Sequence, residues 1–329
     1  MLIQPRVIFK PFEYPEAHEF WLAQQSAHWL HTEIAMGEDI HDWETRLTEA
    51  EKNVVGTTLK GFVQAEVVIG DYWTSKVAQW FPKPEVALMA SAFGAMEGIH
   101  QMGYAYLQDS LGLDDYLEFL HEPSAKAKID RLMETGEGLI ETPDLDDIAR
   151  SLAIFSGFAE GVSLYSSFAI LLYFSKRNLL KGLGQIIAFS IRDESTHSQG
   201  GVWLFNTLCK ETPGLRTAKL EEDINEAARL TIVLEDDFID KAFEMGEIED
   251  FSSDDLKAFI RFRCNNKLVD LGYKPLWDVE EAAIQRMAWF DALSAGTEHQ
   301  DFFAGRVTEY AKGGVDWDSM WDGISDTIA

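Results

Sequence analysis

The sequence predicts an all-α protein, on three observations. Its nine prolines leave long proline-free tracts at 16–81, 85–122, 144–212 and 214–274. Proline breaks helices, and a strand-rich chain needs turn residues about every 8–12 positions, so such tracts favour long helices. Between them the obvious stops are few: Pro82-Lys83-Pro84, a loop around Gly182 and Gly184, and Pro213-Gly214. The composition, 46% hydrophobic and 12% aromatic over 329 residues, is enough for a large core.

In chain order, helices are expected at 16–31, 46–80, 85–111, 145–176, 184–210, 219–246, 253–270 and 278–293. Within the fourth, Ser151–Ser175 holds 25 residues and a single charge, Glu160. Six serines, two glycines and the lack of a flanking basic cluster argue against a membrane span, so a helix buried on all sides is expected. From Gly296 the helical pattern is lost, which divides the chain into a helical domain, 1–295, and a poorly ordered tail, 296–329.

Charge and cysteines narrow the function classes. With 56 acidic against 28 basic residues the net charge is −28, which disfavours nucleic acid and anionic membranes as partners. Only Cys209 and Cys264 occur, too few for a disulfide framework, and the first twenty residues offer no signal-peptide core. A cytoplasmic protein is expected.

Three carboxylates interrupt apolar runs: Glu66 in GFVQAEVVIG, Glu97 after VALMASAFGAM, and Glu160. A buried carboxylate needs a cation, a metal or a proton. Two copies of one pattern, Glu97-Gly-Ile-His100 and Glu194-Ser-Thr-His197, put an oxygen and a nitrogen donor on one helix face. Glu66 precedes the first copy by 31 residues and Glu160 precedes the second by 34, and each midpoint falls at a predicted turn. Each hairpin therefore sets a Glu beside an ExxH. Two such hairpins facing each other present Glu66, Glu97, His100, Glu160, Glu194 and His197 at one level of a four-helix core, the ligand set of ferritin-like di-iron and di-manganese bundles. Oxygen-rich donors with two imidazoles and no thiolate suit iron or manganese.

On these motifs, with Tyr104 following His100 and Arg192-Asp193 preceding Glu194, the chain resembles the radical-generating β (small) subunit of class I ribonucleotide reductase, from about residue 20 to the C-terminus. The resemblance implies two metal ions per chain, iron or manganese or both, that react with an oxidant and store an oxidising equivalent. Tyr104 is then the usual radical site, in a pocket with Leu164, Phe168 and Ser190, although some members keep the equivalent on the metals. Glu66, where many tyrosyl-radical members carry Asp, resembles manganese-containing members. The resemblance further implies radical transfer through Trp29, Asp193 and His100 to Tyr310 in the tail. Two isolated cysteines cannot supply both a thiyl radical and a reducing dithiol, so ribonucleotide reduction, on diphosphates, lies on a partner α (large) subunit. Trp317, Met320, Trp321, Ile324 and Ile328 form a helically spaced stripe among acids, suited to docking in a groove of that subunit. A homodimer supplying deoxyribonucleotides for DNA replication is expected by analogy. The alternatives are a stand-alone di-metal oxidase, which needs neither relay nor tail tyrosine, and an iron-storage bundle.

Overall fold

The computed structural model describes residues 1–113, 123–137 and 143–294, and within them ten helices carry the fold, with no strand. They are α1 (Pro15–Ser26), α2 (Gly37–Thr45), α3 (49–80), α4 (Pro84–Leu111), α5 (Pro123–Glu137), α6 (Leu145–Lys176), α7 (Lys181–Glu211), α8 (Ala218–Ala242), α9 (Ser253–Asp270) and α10 (Glu281–Met287). The tail beyond residue 294, with Tyr310 and the apolar stripe, lies outside the described residues.

Local chemistry sets the helix ends. Thr48 and Glu51 form a reciprocal capping box at the start of α3. Pro84 occupies the first turn of α4, and Gly112, at φ 69°, ends it in the left-handed conformation. Asp144, Thr217 and Ser252 cap α6, α8 and α9 with their side-chain oxygens.

Two expectations need correction. Gly182 and Gly184 do not form a loop: both lie in the first turn of α7. They are small because neighbours come close. A Cβ on Gly182 would stand 2.9 Å from Ala35 O, and one on Gly184 would overlap Ser175 Oγ at 1.7 Å. The turn is made instead by Asn178 and Leu180, both at positive φ. The first helix also ends at Ser26 rather than 31, which leaves Trp29 in the connecting segment.

Helices α2 and α5 were not expected from the sequence. Helix α2 serves to fix the start of α7. Its buried Asp39 accepts from Gly182 N at 3.0 Å and Leu183 N at 2.8 Å, capping α7 from outside.

The core is a ring of four helices in which α3 packs on α4, α4 on α7, α7 on α6, and α6 on α3. Helix α1 lies across α4 and α7, and α8 and α9 cover α6. Two inner helices are interrupted by wider π turns, Tyr72–Val77 in α3 and Ala153–Ser163 in α6. Helix α6 is apolar and long enough to cross a membrane, but 89% of its most apolar stretch is buried inside the fold, as a central bundle helix requires.

Candidate metal centre

Each hairpin delivers its donors as the spacing predicted. Glu66 comes from α3, Glu97 and His100 from α4, Glu160 from the π turn of α6, and Glu194 and His197 from α7, and all six are 0% exposed. They form two overlapping groups, Glu66–Glu97–His100–Glu194 and Glu97–Glu160–Glu194–His197, each with one donor atom per residue lying within 4.8 Å of the others. Glu97 and Glu194 belong to both groups and stand between them. His100 Nδ1 is 3.0 Å from both Glu97 Oε2 and Glu194 Oε1. His197 Nδ1 is 2.7 Å from Glu97 Oε1 and 3.6 Å from Glu194 Oε2.

The electrostatics are those of a site built around cations. Burial, then the neighbouring Glu97 and Glu194, raises the Glu66 carboxyl well above its usual range, and the same causes raise Glu160. Burial also opposes ionisation of Glu97, but His197 and His100 outweigh it and hold Glu97 low. Burial would lower His197, yet Glu97 and Glu194 push it up to about 10. Both oxygens of Glu66 and Oε2 of Glu160 are buried without a hydrogen-bond partner. Orphaned carboxylate oxygens cost several kcal/mol each when charged, so this donor set fits two bound cations better than an empty core.

Around the six residues runs a hydrogen-bonded shell that extends the expected relay. Asp193 Oδ2 accepts from Trp29 Nε1 at 2.8 Å and faces His100 Nε2 at 3.3 Å, while Oδ1 faces Gln24 Nε2 at 3.2 Å and Arg192 Nε at 3.4 Å. Trp29 is 3% exposed and stacks on His100, centroids 6.1 Å apart. Gln24 Oε1 lies 2.9 Å from His197 Nε2, so a single glutamine ties the second imidazole to Asp193. On the opposite side, Trp73 donates its indole N–H to Glu160 Oε1 at 2.5 Å. Sequence reasoning missed Gln24 and Trp73. Neither sits in a motif, and Gln24 belongs to α1, outside both hairpins.

Tyr104 is 0% exposed, its ring 6.1 Å from His100 and 4.5 Å from Phe62. Its hydroxyl is buried without a hydrogen-bond partner. Burial and the nearby Glu66 raise its pKa well above the ordinary tyrosine value. Phe168 stacks on the far side of Phe62 at 5.3 Å, and the Ser190 hydroxyl is turned to Ile186 O at 3.1 Å. An apolar cavity of about 40 Å³, with Phe62, Ala65, Ile69, Ala159 and Leu164 in its wall, lies behind the turns that carry Glu66 and Glu160. It has room for a guest of about the size of water.

Four long helices turning four carboxylates and two imidazoles inward define a ferritin-like bundle of the di-metal carboxylate class. The chain belongs to the ribonucleotide reductase small-chain family, the radical-generating β subunits of that oxidoreductase, whose family model matches residues 6–283. It is 39% identical, over 97% of its length and 88% of the relative's, to a probable ribonucleoside-diphosphate reductase small subunit of Invertebrate iridescent virus 3. Two solved structures share the fold. The ribonucleotide reductase R2 subunit of Clostridium botulinum has a TM-score of 0.79 at 20% identity, covering 86% of this chain and 89% of that one. The dimanganese(II) NrdF of Streptococcus sanguinis has a TM-score of 0.74 at 22% identity, covering 87% of this chain and all of that one.

Proposed function

We propose that the two overlapping donor groups hold two iron or manganese ions, and that the chain generates and stores an oxidising equivalent for ribonucleoside-diphosphate reduction on a separate α subunit. The observation that carries this reading is the sharing of Glu97 and Glu194 between the groups, beside an unbroken chain Trp29–Asp193–His100. When bound, the ions supply one-electron redox chemistry with an oxidant. The protein's own residues do the rest. Glu97 and Glu194, common to both donor groups, would hold both ions, Glu66 and Glu160 would each complete one group, and His100 and His197 each turn Nδ1 inward while Nε2 faces Asp193 and Gln24 respectively. Tyr104 stores the equivalent in an apolar pocket, and Trp29 with Asp193 provides the exit toward the α subunit.

The relay favours this reading over a stand-alone di-metal oxidase, which has no use for an indole held on a carboxylate beside a metal ligand. Tyr310 continues the transfer in the tail, residues 296–329 dock on the α subunit, and the working β unit is a cytoplasmic homodimer. A peptide of residues 310–329 is expected to compete with the full chain for the α subunit; no competition at high concentration refutes the docking role.

The decisive experiment is metal analysis with electron paramagnetic resonance on the activated chain and on Tyr104→Phe. Two metals per chain and a tyrosyl signal absent from the variant support the reading. Full reductase activity in Tyr104→Phe places the stored equivalent on the metals.

A further inference from the structure

The relay through Trp29 leaves from the His100 side, and a second run of oxidisable rings leaves from the Glu160 side. Trp73 is 0% exposed, donates to Glu160 Oε1 at 2.5 Å, and lies 6.2 Å from the His197 ring. The Tyr72 ring is 6.0 Å from Trp73 and 5.8 Å from Trp80, and it stacks on Phe155 at 3.8 Å. Trp80 is only partly buried, in the last turn of α3, next to exposed Gln79. The two π turns bring these groups together, since one carries Tyr72 and Trp73 and the other carries Phe155 and Glu160. Wider turns of this kind concentrate at functional sites. Indoles give up an electron more readily than aliphatic or phenyl groups, and neighbouring rings exchange electrons faster than groups separated by saturated carbon.

We propose that Trp80, Tyr72 and Trp73 form an electron-entry path from solvent to the Glu160 side of the di-metal site. The inference rests on the reading that the site stores one oxidising equivalent. Keeping one equivalent is an odd electron count, whereas dioxygen and peroxide reduced to water take an even one, so with either oxidant a single electron has to come from outside. A small soluble one-electron reductant such as ascorbate supplies it. Trp73 gives one electron to the site and is refilled by Trp80 across the Tyr72 ring, and Trp80 is refilled by the reductant, which is oxidised by one electron. The Trp73 N–H proton stays in its hydrogen bond to Glu160 throughout, so no bond is made or broken along the rings. Tyr72 keeps its proton too, its hydroxyl accepting from Ser151 at 3.3 Å, and serves as the bridge.

The test needs no metal. In the full-length metal-free chain, Gln79→Cys is labelled with a ruthenium polypyridyl photo-oxidant; the native Cys209 and Cys264 are buried. Flash–quench transient absorption is expected to show a slowly decaying, shielded tryptophan radical. Trp73→Phe is expected to remove that population and leave a short-lived radical at Trp80. Trp80→Phe, at the end of its helix, leaves the core intact and slows the appearance of the buried radical by an order of magnitude. Absence of the slow radical, or its persistence unchanged in Trp73→Phe, overturns the path, as does an unchanged rate in Trp80→Phe. If the radical behaves as expected but the metal-loaded chain makes no deoxyribonucleotide with its α subunit, the functional reading fails and the path stands.

Discussion

Asp193 is approached by four groups, Trp29, His100, Gln24 and Arg192, and burial alone would raise its carboxyl. The His100 hydrogen bond, with Arg192 and Trp29, instead keeps it below the ordinary aspartate value. A carboxylate so saturated is a fixed negative charge that holds an indole and an imidazole in register. Gln24 extends that control to His197. Replacing it with leucine is expected to weaken binding of one metal about 10–100-fold, the usual effect of losing a partner behind a ligand, with helix content unchanged; metal-titration isotherms check this. Tyr104→Phe behaves differently. Its hydroxyl has no partner, so the variant is expected to match the parent in urea unfolding within about 0.5 kcal/mol while altering the radical signal. That the six inner carboxylates and imidazoles come together was legible from spacing and motif, because a repeated ExxH with a lone upstream Glu has few other uses, whereas Asp193 was suggested only by the family resemblance. Gln24 and Trp73 were not legible, because their roles depend on how α1 and the π turn lie against the bundle, and local sequence does not encode that.

At the level of elements, the hairpins were readable because proline marked one turn and the midpoint arithmetic located the other. The π turns were invisible, since they change the hydrogen-bonding period without changing which residues are apolar. Glycine misled for a related reason: it marks close contact as well as turns. Gly201 shows this most sharply, since a Cβ there would meet Ser156 Cβ at 2.1 Å, where α7 presses on the π turn of α6. Gly201→Ala is expected to cost about 1–3 kcal/mol in denaturant unfolding, with recovery when Ser156→Gly is added. Failure of the second change to recover stability argues that the contact is not the cause. Helices α2 and α5 escaped notice because α2 is short and both are polar on average, so neither stands out as a long apolar tract.

For the whole molecule, the metal-free chain has a stability set by protons in its core. His197, raised from 6.5 to about 10, keeps its proton when folded and loses it when unfolded. Its contribution is therefore fully present below pH 6.5 and disappears as pH rises toward 10. Raised Glu66 and Glu160 act in the same direction above about 4.5, whereas depressed Glu97 adds stability above that value. The metal-free chain is thus expected to lose thermal stability between about pH 6.5 and 10, and differential scanning calorimetry should show a much flatter profile for the metal-loaded chain. Chelation at neutral pH should lower the melting temperature, since a ligand at 100 times its dissociation constant stabilises by about 2.7 kcal/mol.

The protons held in the metal-free core have one more consequence. Because Glu66, Glu160, His100 and His197 keep them on the same atoms that face a metal, protons and metals are rivals for one small, dry volume, and filling it must expel acid. Metal uptake is then coupled to the acidity of the surroundings: a fall in pH works as a chelator does, and a rise favours loading. Calorimetric titrations repeated in buffers of different ionisation heat would count the hydrogen ions released for each metal taken up.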